Sequence, residues 1–98
     1  MPSFTLAFTR EAKEQLAHLK ATDPKKHKKV EKTLGLLETN HQHPSLHMHD
    51  YDSLEGPNRE KVREAYVENR TPSAYRVFFY FPKNQRGNIV IVSVTPHH

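Results

Sequence analysis

The stretch "AYRVFFYF", residues 74–81, is apolar on both of its faces when it is written as an extended strand. A strand with large apolar side chains on two faces is covered on both, as central strands are. The last apolar run, "IVIVSVT" at 89–95, has the same character. These two runs therefore predict central strands of a sheet whose second face is also partly covered.

A third extended segment, "KVREAYVEN" at 61–69, precedes these two strands. One side of it carries Val62, Glu64, Tyr66 and Glu68, and the other carries Arg63, Ala65 and Val67. Turn-forming sequences lie around it, "EGPN" at 55–58 and "RTPS" at 70–73, and "PKNQRGN" at 82–88 separates the last two strands. The C-terminal half of the chain is therefore expected to consist of three strands.

The N-terminal half begins with a short predicted strand, "SFTLAF" at 3–8, in which alternate residues are apolar. Thr9 is then a suitable N-cap for a helix at about 10–21. Glu11 lies in the first turn, where the helix dipole favours a negative charge. The apolar stripe of this helix is Ala12, Leu16 and Leu19.

A second helix follows after a short turn. Asp23 is its expected N-cap, Pro24 occupies its first position, and Asn40 is its expected end. Its apolar stripe is Val30, Leu34 and Leu37. Two helices joined by a short turn pack most simply as an antiparallel hairpin. The order strand, helix, helix and three strands predicts an α+β fold, with the helical hairpin packed on one face of a small sheet.

Length and composition limit the size of the domain and the kind of partner. The chain has 98 residues, enough for a single domain over 1–98 and too few for two. Its 15 Lys and Arg against 11 Asp and Glu favour a polyanion or an acidic protein as partner. It has no cysteine, which excludes disulfides and thiolate chemistry. Without a long apolar segment, a cytoplasmic protein that does not bind a membrane is expected.

A cluster of lysines surrounds the start of the second helix, in "LKATDPKKHKKVEK" at 19–32. It consists of Lys20, Lys25, Lys26, Lys28, Lys29 and Lys32. Such a patch can hold a phosphate backbone with an affinity that falls as the salt concentration rises. The alternative is a solvated helix face without a ligand.

The segment "HQHPSLHMHD", residues 41–50, contains four of the eight histidines. In an extended segment His47 and His49 share one side, and His41 and His43 can do likewise, so a zinc or nickel site is geometrically possible. No spacing in the segment is diagnostic of a metal, and all ligands would come from one stretch. We therefore favour a solvated, partly cationic loop that binds no metal.

Five pieces of sequence occur in an order that is typical of one protein family. They are "FTREAKEQLAHL" (8–19), "HPSL" (43–46), "SLEG" (53–56), "AYRVFFYF" and the ending "TPHH" (95–98). In this order the chain resembles, over nearly all of its length, the RelE/ParE superfamily, the small toxins of bacterial type II toxin–antitoxin systems. The resemblance implies the RelE/ParE-like fold, in which the sheet is twisted and mainly antiparallel. It also implies that "HPSL" connects the hairpin to the sheet.

The resemblance implies one of two activities. RelE-like toxins are endoribonucleases that cut mRNA, commonly on the ribosome, and so inhibit translation, whereas ParE-like toxins inhibit DNA gyrase. We favour the first, a metal-independent reaction without a cofactor in which a 2′-hydroxyl attacks the adjacent phosphorus. A catalytically silent binding module on the same fold is a third alternative, so enzyme activity stays open. The implied partners are a cognate antitoxin and either mRNA with the ribosome or DNA gyrase.

The resemblance also suggests residues for the ribonuclease reaction. Arg76 matches a strand arginine that contacts the scissile phosphate, and a guanidinium can bind two phosphate oxygens at once. His97 matches the near-terminal histidine of the YoeB-like branch, where it can protonate the leaving oxygen. His98 takes the place of the tyrosine that follows it there. Asp50 is the candidate base, Arg63 is a further phosphate contact, and the lysine patch would dock on ribosomal RNA.

The aromatic residues of "AYRVFFYF" divide between the two faces of the predicted strand. The side expected to meet the hairpin carries Tyr75, Phe79 and Phe81. If the hairpin packs there, Phe78 and Tyr80 share the open face with Arg76. In that position both aromatic rings can stack on an unpaired base or contact the antitoxin. The alternative is that they belong to the core.

Overall fold

The computed structural model describes residues 3–68 and 73–96 of the chain. Its elements are β1 (Thr5–Phe8), α1 (Arg10–Thr22), α2 (Pro24–Asn40), a 3₁₀ turn (Pro44–Leu46), β2 (His49–Glu55), β3 (Lys61–Tyr66), β4 (Arg76–Tyr80) and β5 (Asn88–Thr95). The predicted α+β fold is confirmed, with one strand more than the sequence predicted, because β2 lies where a connecting loop was expected.

The five strands form one sheet in the order β1-β5-β4-β3-β2. β1 runs parallel to β5, and the other neighbouring strands are antiparallel, which confirms the mainly antiparallel sheet. The register of β4 and β5 shifts between Phe78, opposite Ser93, and Phe79, opposite Ile91. Val92 is therefore an extra residue in β5, as in a β-bulge.

The helix ends follow the predicted caps. The Thr9 side chain accepts a hydrogen bond from the Ala12 N–H over 3.1 Å, and the Asp23 side chain accepts one from the Lys26 N–H over 3.1 Å. The Thr9 hydroxyl also donates to the Val92 carbonyl over 2.7 Å, which fixes the start of α1 to β5. Neither helix in the described ranges has the length and apolar character needed to cross a membrane.

The hydrophobic core lies between the helical hairpin and one face of the sheet. Its buried members include Ala12, Leu19, Val30, Leu34, Leu37, Ala65, Val77, Phe79, Ile89, Ile91 and Val94. Tyr75 and Phe81 pack against this core, so the hairpin covers the side of the sheet that the sequence predicted. The opposite side carries Glu64, Tyr66, Arg76, Phe78 and Ser93 in register, and we call it the open face.

β2 does not follow the periodicity expected of a strand because it is an edge strand with little to bury. Tyr51 and Leu54 are half-buried, and the other residues of β2 are exposed. Its sequence "HDYDSLE" therefore lacks an apolar alternation. Backbone pairing with β3 defines this strand in place of a buried apolar face.

Candidate active site on the open face

Two rows of residues cross the open face. β3, β4 and β5 align Glu64, Phe78 and Ser93 in one row and Tyr66, Arg76 and Thr95 in the next. Opposed residues of antiparallel strands point to the same face. On β2, His49 lies opposite Glu64 and extends the first row. The pairing of the strands thus brings an imidazole, a carboxylate and a guanidinium together on one surface.

Glu64 is the centre of an ion-pair cluster. Its side chain is 5% exposed and contacts an imidazole and a guanidinium. Arg76 Nη1 donates to Glu64 Oε2 over 3.0 Å, and His49 Nε2 contacts Glu64 Oε1. Ion pairs and hydrogen bonds of this kind offset the cost of burying a carboxylate. We call His49, Glu64, Tyr66 and Arg76 the Glu64 cluster.

The guanidinium of Arg76 is held by an aromatic ring as well as by the carboxylate. Its Cζ lies 4.1 Å from the centroid of the Tyr66 ring, a cation–π distance. The Arg76 side chain is 28% exposed, and its Nε–H is buried without an acceptor among the described residues. Because a guanidinium has five N–H donors, the bond to Glu64 leaves donors for an anion such as phosphate.

His49 is held at both ring nitrogens. Its Nε2 contacts Glu64, and its Nδ1 lies 3.1 Å from the carbonyl oxygen of His47. The ring also meets Tyr66 edge-on, with centroids 5.5 Å apart, and the His47 ring lies 5.7 Å from the same tyrosine. The Tyr66 ring therefore contacts the guanidinium of Arg76 and the imidazoles of His47 and His49.

The structure differs from the sequence prediction at Phe78. This side chain is fully buried, and its ring packs edge-on against Tyr51 of β2 with centroids 4.9 Å apart. In this conformation Phe78 is not accessible to a base, because it is fully buried and the Tyr51 ring, from the strand that the sequence did not predict, packs against it. Tyr80 is half-buried. Burial raises the pKa of Tyr80, and the charge of Glu60 raises it further, which favours the neutral phenol.

Asp50 and Arg63 lie on the side of the sheet away from Arg76. They are opposite each other on β2 and β3, in a row that faces the hairpin. Asp50 carboxylate oxygens lie 3.3 Å from Lys61 Nζ and 3.6 Å from Arg63 Nε. Asp50 as the base and Arg63 as a phosphate contact stay predictions, and the structure places both on the face opposite Arg76. The carboxylate on the face of Arg76 is Glu64.

The histidine-rich segment does not converge on one point. His41 packs edge-on against Phe4 with ring centroids 5.0 Å apart, and His43 Nδ1 accepts a hydrogen bond from the Ser45 N–H over 3.1 Å. The other two histidines lie beside Tyr66, as described above. In the part of the chain that the structure describes, no group of three or more His, Cys, Asp or Glu side chains is placed to hold a metal ion.

Glu68 neutralises part of the lysine patch. Its two oxygens lie 3.1 Å from Lys26 Nζ and 3.2 Å from Lys29 Nζ, and it accepts a hydrogen bond from the Tyr75 N–H over 3.3 Å. Burial acts to raise the pKa of Glu68, but the lysines and this N–H outweigh it, and the pKa is lowered. Lys26 and Lys29 therefore help to attach α2 to the sheet.

The remaining lysines of the patch face solvent. Lys20, Lys25, Lys28 and Lys32 are exposed. Lys32 also borders a cleft of about 450 Å³ between α2, the 3₁₀ turn and the end of β3. Tyr66 lines the same cleft, so this space joins the lysine-rich face of α2 to the Glu64 cluster.

Sequence reasoning placed Arg76 on the open face but missed its partners. His49 and Glu64 belong to different strands, and only the pairing of β2, β3 and β4 brings them to Arg76. One signal was present, because Glu64 is a charged residue in the middle of an otherwise well-packed strand. His97 and His98, the other predicted catalytic residues, lie outside the described residues.

Comparison with known proteins identifies similar folds. No known family profile and no curated protein matches the sequence. The chain is similar to the YoeB dimer structure from Staphylococcus aureus, with a TM-score of 0.64 and 16% identity over 98% of this chain and 99% of that chain. It is also similar to a YoeB/ParE toxin from Agrobacterium tumefaciens, with a TM-score of 0.67 and 10% identity over 97% and 100% of the two chains. These similarities confirm the RelE/ParE-like fold.

Proposed function

We propose that this chain, which has the fold of the YoeB and YoeB/ParE toxins, is the toxin of a type II toxin–antitoxin system and cleaves mRNA on the ribosome. The observation that carries the proposal is the position of Arg76. It lies on the open face beside a buried carboxylate, its side chain is partly exposed, and its single bond to Glu64 leaves further N–H donors of the guanidinium for an anion. A cation and a base are two of the groups needed when RNA is cleaved by its own 2′-hydroxyl.

The proposed reaction is an internal transesterification. The 2′-oxygen attacks the adjacent phosphorus, and the bond to the 5′-oxygen breaks, which leaves a 2′,3′-cyclic phosphate and a 5′-hydroxyl. Negative charge accumulates on the phosphate oxygens in the transition state. Arg76 stabilises this charge, and the loss of such a fixed donor costs about 100-fold to 1,000-fold in rate.

The base in this proposal is Glu64. In the free protein its Oε2 accepts a hydrogen bond from Arg76. A phosphate competes for the same guanidinium, because Arg binds phosphate oxygens in a bidentate manner. Binding of RNA therefore frees a carboxylate oxygen next to the phosphate, where it accepts the proton of the 2′-hydroxyl.

The exposed lysines of α2 supply the docking surface. Lys25, Lys28 and Lys32 attract the phosphates of ribosomal RNA, whereas Lys26 and Lys29 contribute less because Glu68 neutralises them. The cleft beside Lys32 gives the RNA a path to the Glu64 cluster. A cognate antitoxin is the proposed protein partner, and it inhibits the toxin by covering the open face.

Induced expression of the chain in a bacterial host tests the proposal. We expect growth arrest and new transcript ends, and we expect Arg76→Ala to abolish both. The matched control is Arg86→Ala, which changes an exposed arginine in the β4–β5 turn and leaves the transcript ends in place. DNA breaks over intact transcripts would replace the proposal with gyrase inhibition. If neither transcript cleavage nor DNA breakage is observed, the chain is a binding module without catalytic activity.

A further inference from the structure

We infer that His49 protonates the leaving 5′-oxygen and is therefore a catalytic residue of the open face. The inference rests on the proposed ribonuclease function. It assigns to a residue of β2 the role that the sequence resemblance gave to His97, which lies outside the described residues.

Both ring nitrogens of His49 face hydrogen-bond acceptors. Nε2 contacts Glu64 Oε1, and Nδ1 lies 3.1 Å from the carbonyl oxygen of His47. A neutral imidazole has a single N–H and would turn a lone pair toward one of these two oxygens. The imidazolium donates to both. The observed arrangement therefore offers a doubly protonated ring an acceptor at each nitrogen.

An uncommon backbone conformation of His47 accompanies the contact between its carbonyl oxygen and His49 Nδ1. His47 has a φ of 46°, in the left-handed region that residues other than glycine rarely adopt. Its N–H donates to the Pro44 carbonyl over 3.2 Å and closes the 3₁₀ turn, while its own carbonyl faces His49 Nδ1. Uncommon backbone conformations of this kind cluster at active sites.

The two ring nitrogens of His49 face acceptors of different strength. The charged and titratable side chains that face it are Glu64 from β3, Arg76 from β4, and the neighbouring Tyr66 and His47. Nε2 faces a carboxylate, which forms the stronger, charge-assisted hydrogen bond. Nδ1 faces a neutral carbonyl. A proton on Nδ1 is therefore held by the weaker of the two hydrogen bonds and is the one that His49 donates.

The position of His49 suits a donor to the phosphate held by Arg76. The two side chains bind the two oxygens of one carboxylate, so a phosphate at the guanidinium lies next to the imidazole. The His49 side chain is 47% exposed, in contrast to the 5% exposure of Glu64. RNA can therefore reach the imidazole without a change in the protein.

The step is balanced in atoms and protons. The 2′-oxygen forms a bond to phosphorus and gives its proton to Glu64. The bond from phosphorus to the 5′-oxygen breaks, and the leaving oxygen takes the Nδ1 proton of His49, which becomes neutral. Glu64 then releases its proton to solvent, and His49 takes one up, which restores the starting state.

A sulfur atom at the 5′-bridging position tests this role, because a thiolate leaves without being protonated. Cleavage is measured on ribosome-bound mRNAs that carry oxygen or sulfur at the cleaved linkage. We expect His49→Ala to slow cleavage of the oxygen substrate by about 100-fold or more and to have little effect on the sulfur substrate. The matched control is His18→Ala, which removes an exposed histidine of α1 and changes neither rate.

Three outcomes would overturn the assignment. Equal losses on the two substrates would indicate a structural role for His49, and unchanged rates on both would exclude any role. A selective rescue by sulfur in His97→Ala, and not in His49→Ala, would make His97 the donor.

A second measurement does not depend on cleavage. The ¹⁵N NMR signals of His49 should show protons on both ring nitrogens under the conditions of the cleavage assay, and Glu64→Gln should remove this state. A neutral His49 would refute the inference alone. Absence of cleavage by the unaltered protein would refute the proposed function and, with it, the role of His49.

Discussion

Glu64 lies in β3 and Glu68 lies two residues beyond its end, and each is a nearly buried carboxylate that contacts two nitrogen-containing side chains. Their side chains are 5% and 9% exposed. The partners of Glu64 are His49 and Arg76, which come from neighbouring strands. The partners of Glu68 are two lysines of α2 and the backbone N–H of Tyr75. Each site contains a nearly buried carboxylate, but the groups that contact the two carboxylates differ.

The difference teaches that the chemistry of the partners, and not the number of charges, identifies a site. Lys26 lies 5.1 Å from the centroid of the Tyr75 ring while it binds Glu68, so its charge fastens α2 to the sheet. The guanidinium at Glu64 has several N–H donors and can bind an anion, and the imidazole can transfer a proton. One carboxylate therefore serves attachment, and we propose that the other serves catalysis.

The largest expected contrast between the two carboxylates is in the cleavage rate. Glu64→Gln removes the proposed base and the anion that holds its two partners, so we expect single-turnover cleavage on ribosomes to slow by about 100-fold or more. Glu68→Gln should leave the rate unchanged, because its partners are not part of the reaction. Equal losses of cleavage rate in the two variants would contradict the assignment of different roles to Glu64 and Glu68.

The second contrast is in the free energy of unfolding. Glu68→Gln leaves two lysines and a backbone N–H facing a neutral amide, and we expect a loss of roughly 1–3 kcal/mol in urea unfolding. Glu31→Gln is the matched control, since Glu31 is 62% exposed on α2, the helix that carries the two lysines, and its removal should cost less than about 1 kcal/mol. A loss no greater than that of the control would contradict an attachment role for Glu68.

The third contrast is in the dependence of stability on pH. Burial acts to raise the pKa of Glu60, but N–H donors of Asn58 and Lys83 outweigh it, so the pKa of Glu60, like that of Glu68, is below the ordinary 4.5. A lowered folded pKa means that the unfolded chain binds protons first as the pH falls. Both groups therefore stabilise the fold above about pH 4.5, and this stability is lost as the pH falls through the folded pKa values.

Urea unfolding between neutral and acidic pH measures this effect. In Glu68→Gln the free energy of unfolding should fall less steeply as the pH becomes acidic. The part of the decrease that comes from Glu60 should remain. If the curve of the variant ran parallel to that of the unaltered protein, the pairing of Glu68 would not be the source of its lowered pKa.

The smallest expected contrast is within the lysine patch. Lys28→Gln should lower the slope of log affinity for the ribosome against log salt by about 0.7–0.9, the value for one phosphate contact. Lys29→Gln should change the slope less, because Glu68 already pairs with Lys29. The two slopes are obtained from binding titrations at several salt concentrations, and a larger change for Lys29 would assign it to the docking surface.

The helices and the core could be predicted because their signals are local. Thr9 and Asp23 accept hydrogen bonds from N–H groups three residues ahead, and the apolar stripes repeat within each helix. The same local rule put Arg76 on the face away from the hairpin. These features need no knowledge of which strands pair.

The rest of the site could not be predicted because it depends on strand pairing. His49 and Asp50 are adjacent, yet strand alternation turns them to opposite faces, so an error of one residue changes the predicted site. β2 has a register irregularity between Asp50 and Glu55, which no local pattern reveals. The burial of Phe78 under Tyr51 depends on the same strand.

The pairing of β1 with β5 has a consequence for how the molecule folds. Thr9 bonds to Val92, 83 positions later, and Thr5 to Phe8 pair with Asn88 to Ile91. During synthesis β1 therefore cannot pair with β5 until nearly the whole domain has been made. Closure of the long loop between these two strands is expected to be slow. The hairpin α1–α2 can form early, but the sheet beneath it is completed late. A domain built in this way does not acquire its finished core while most of its own chain is still being translated.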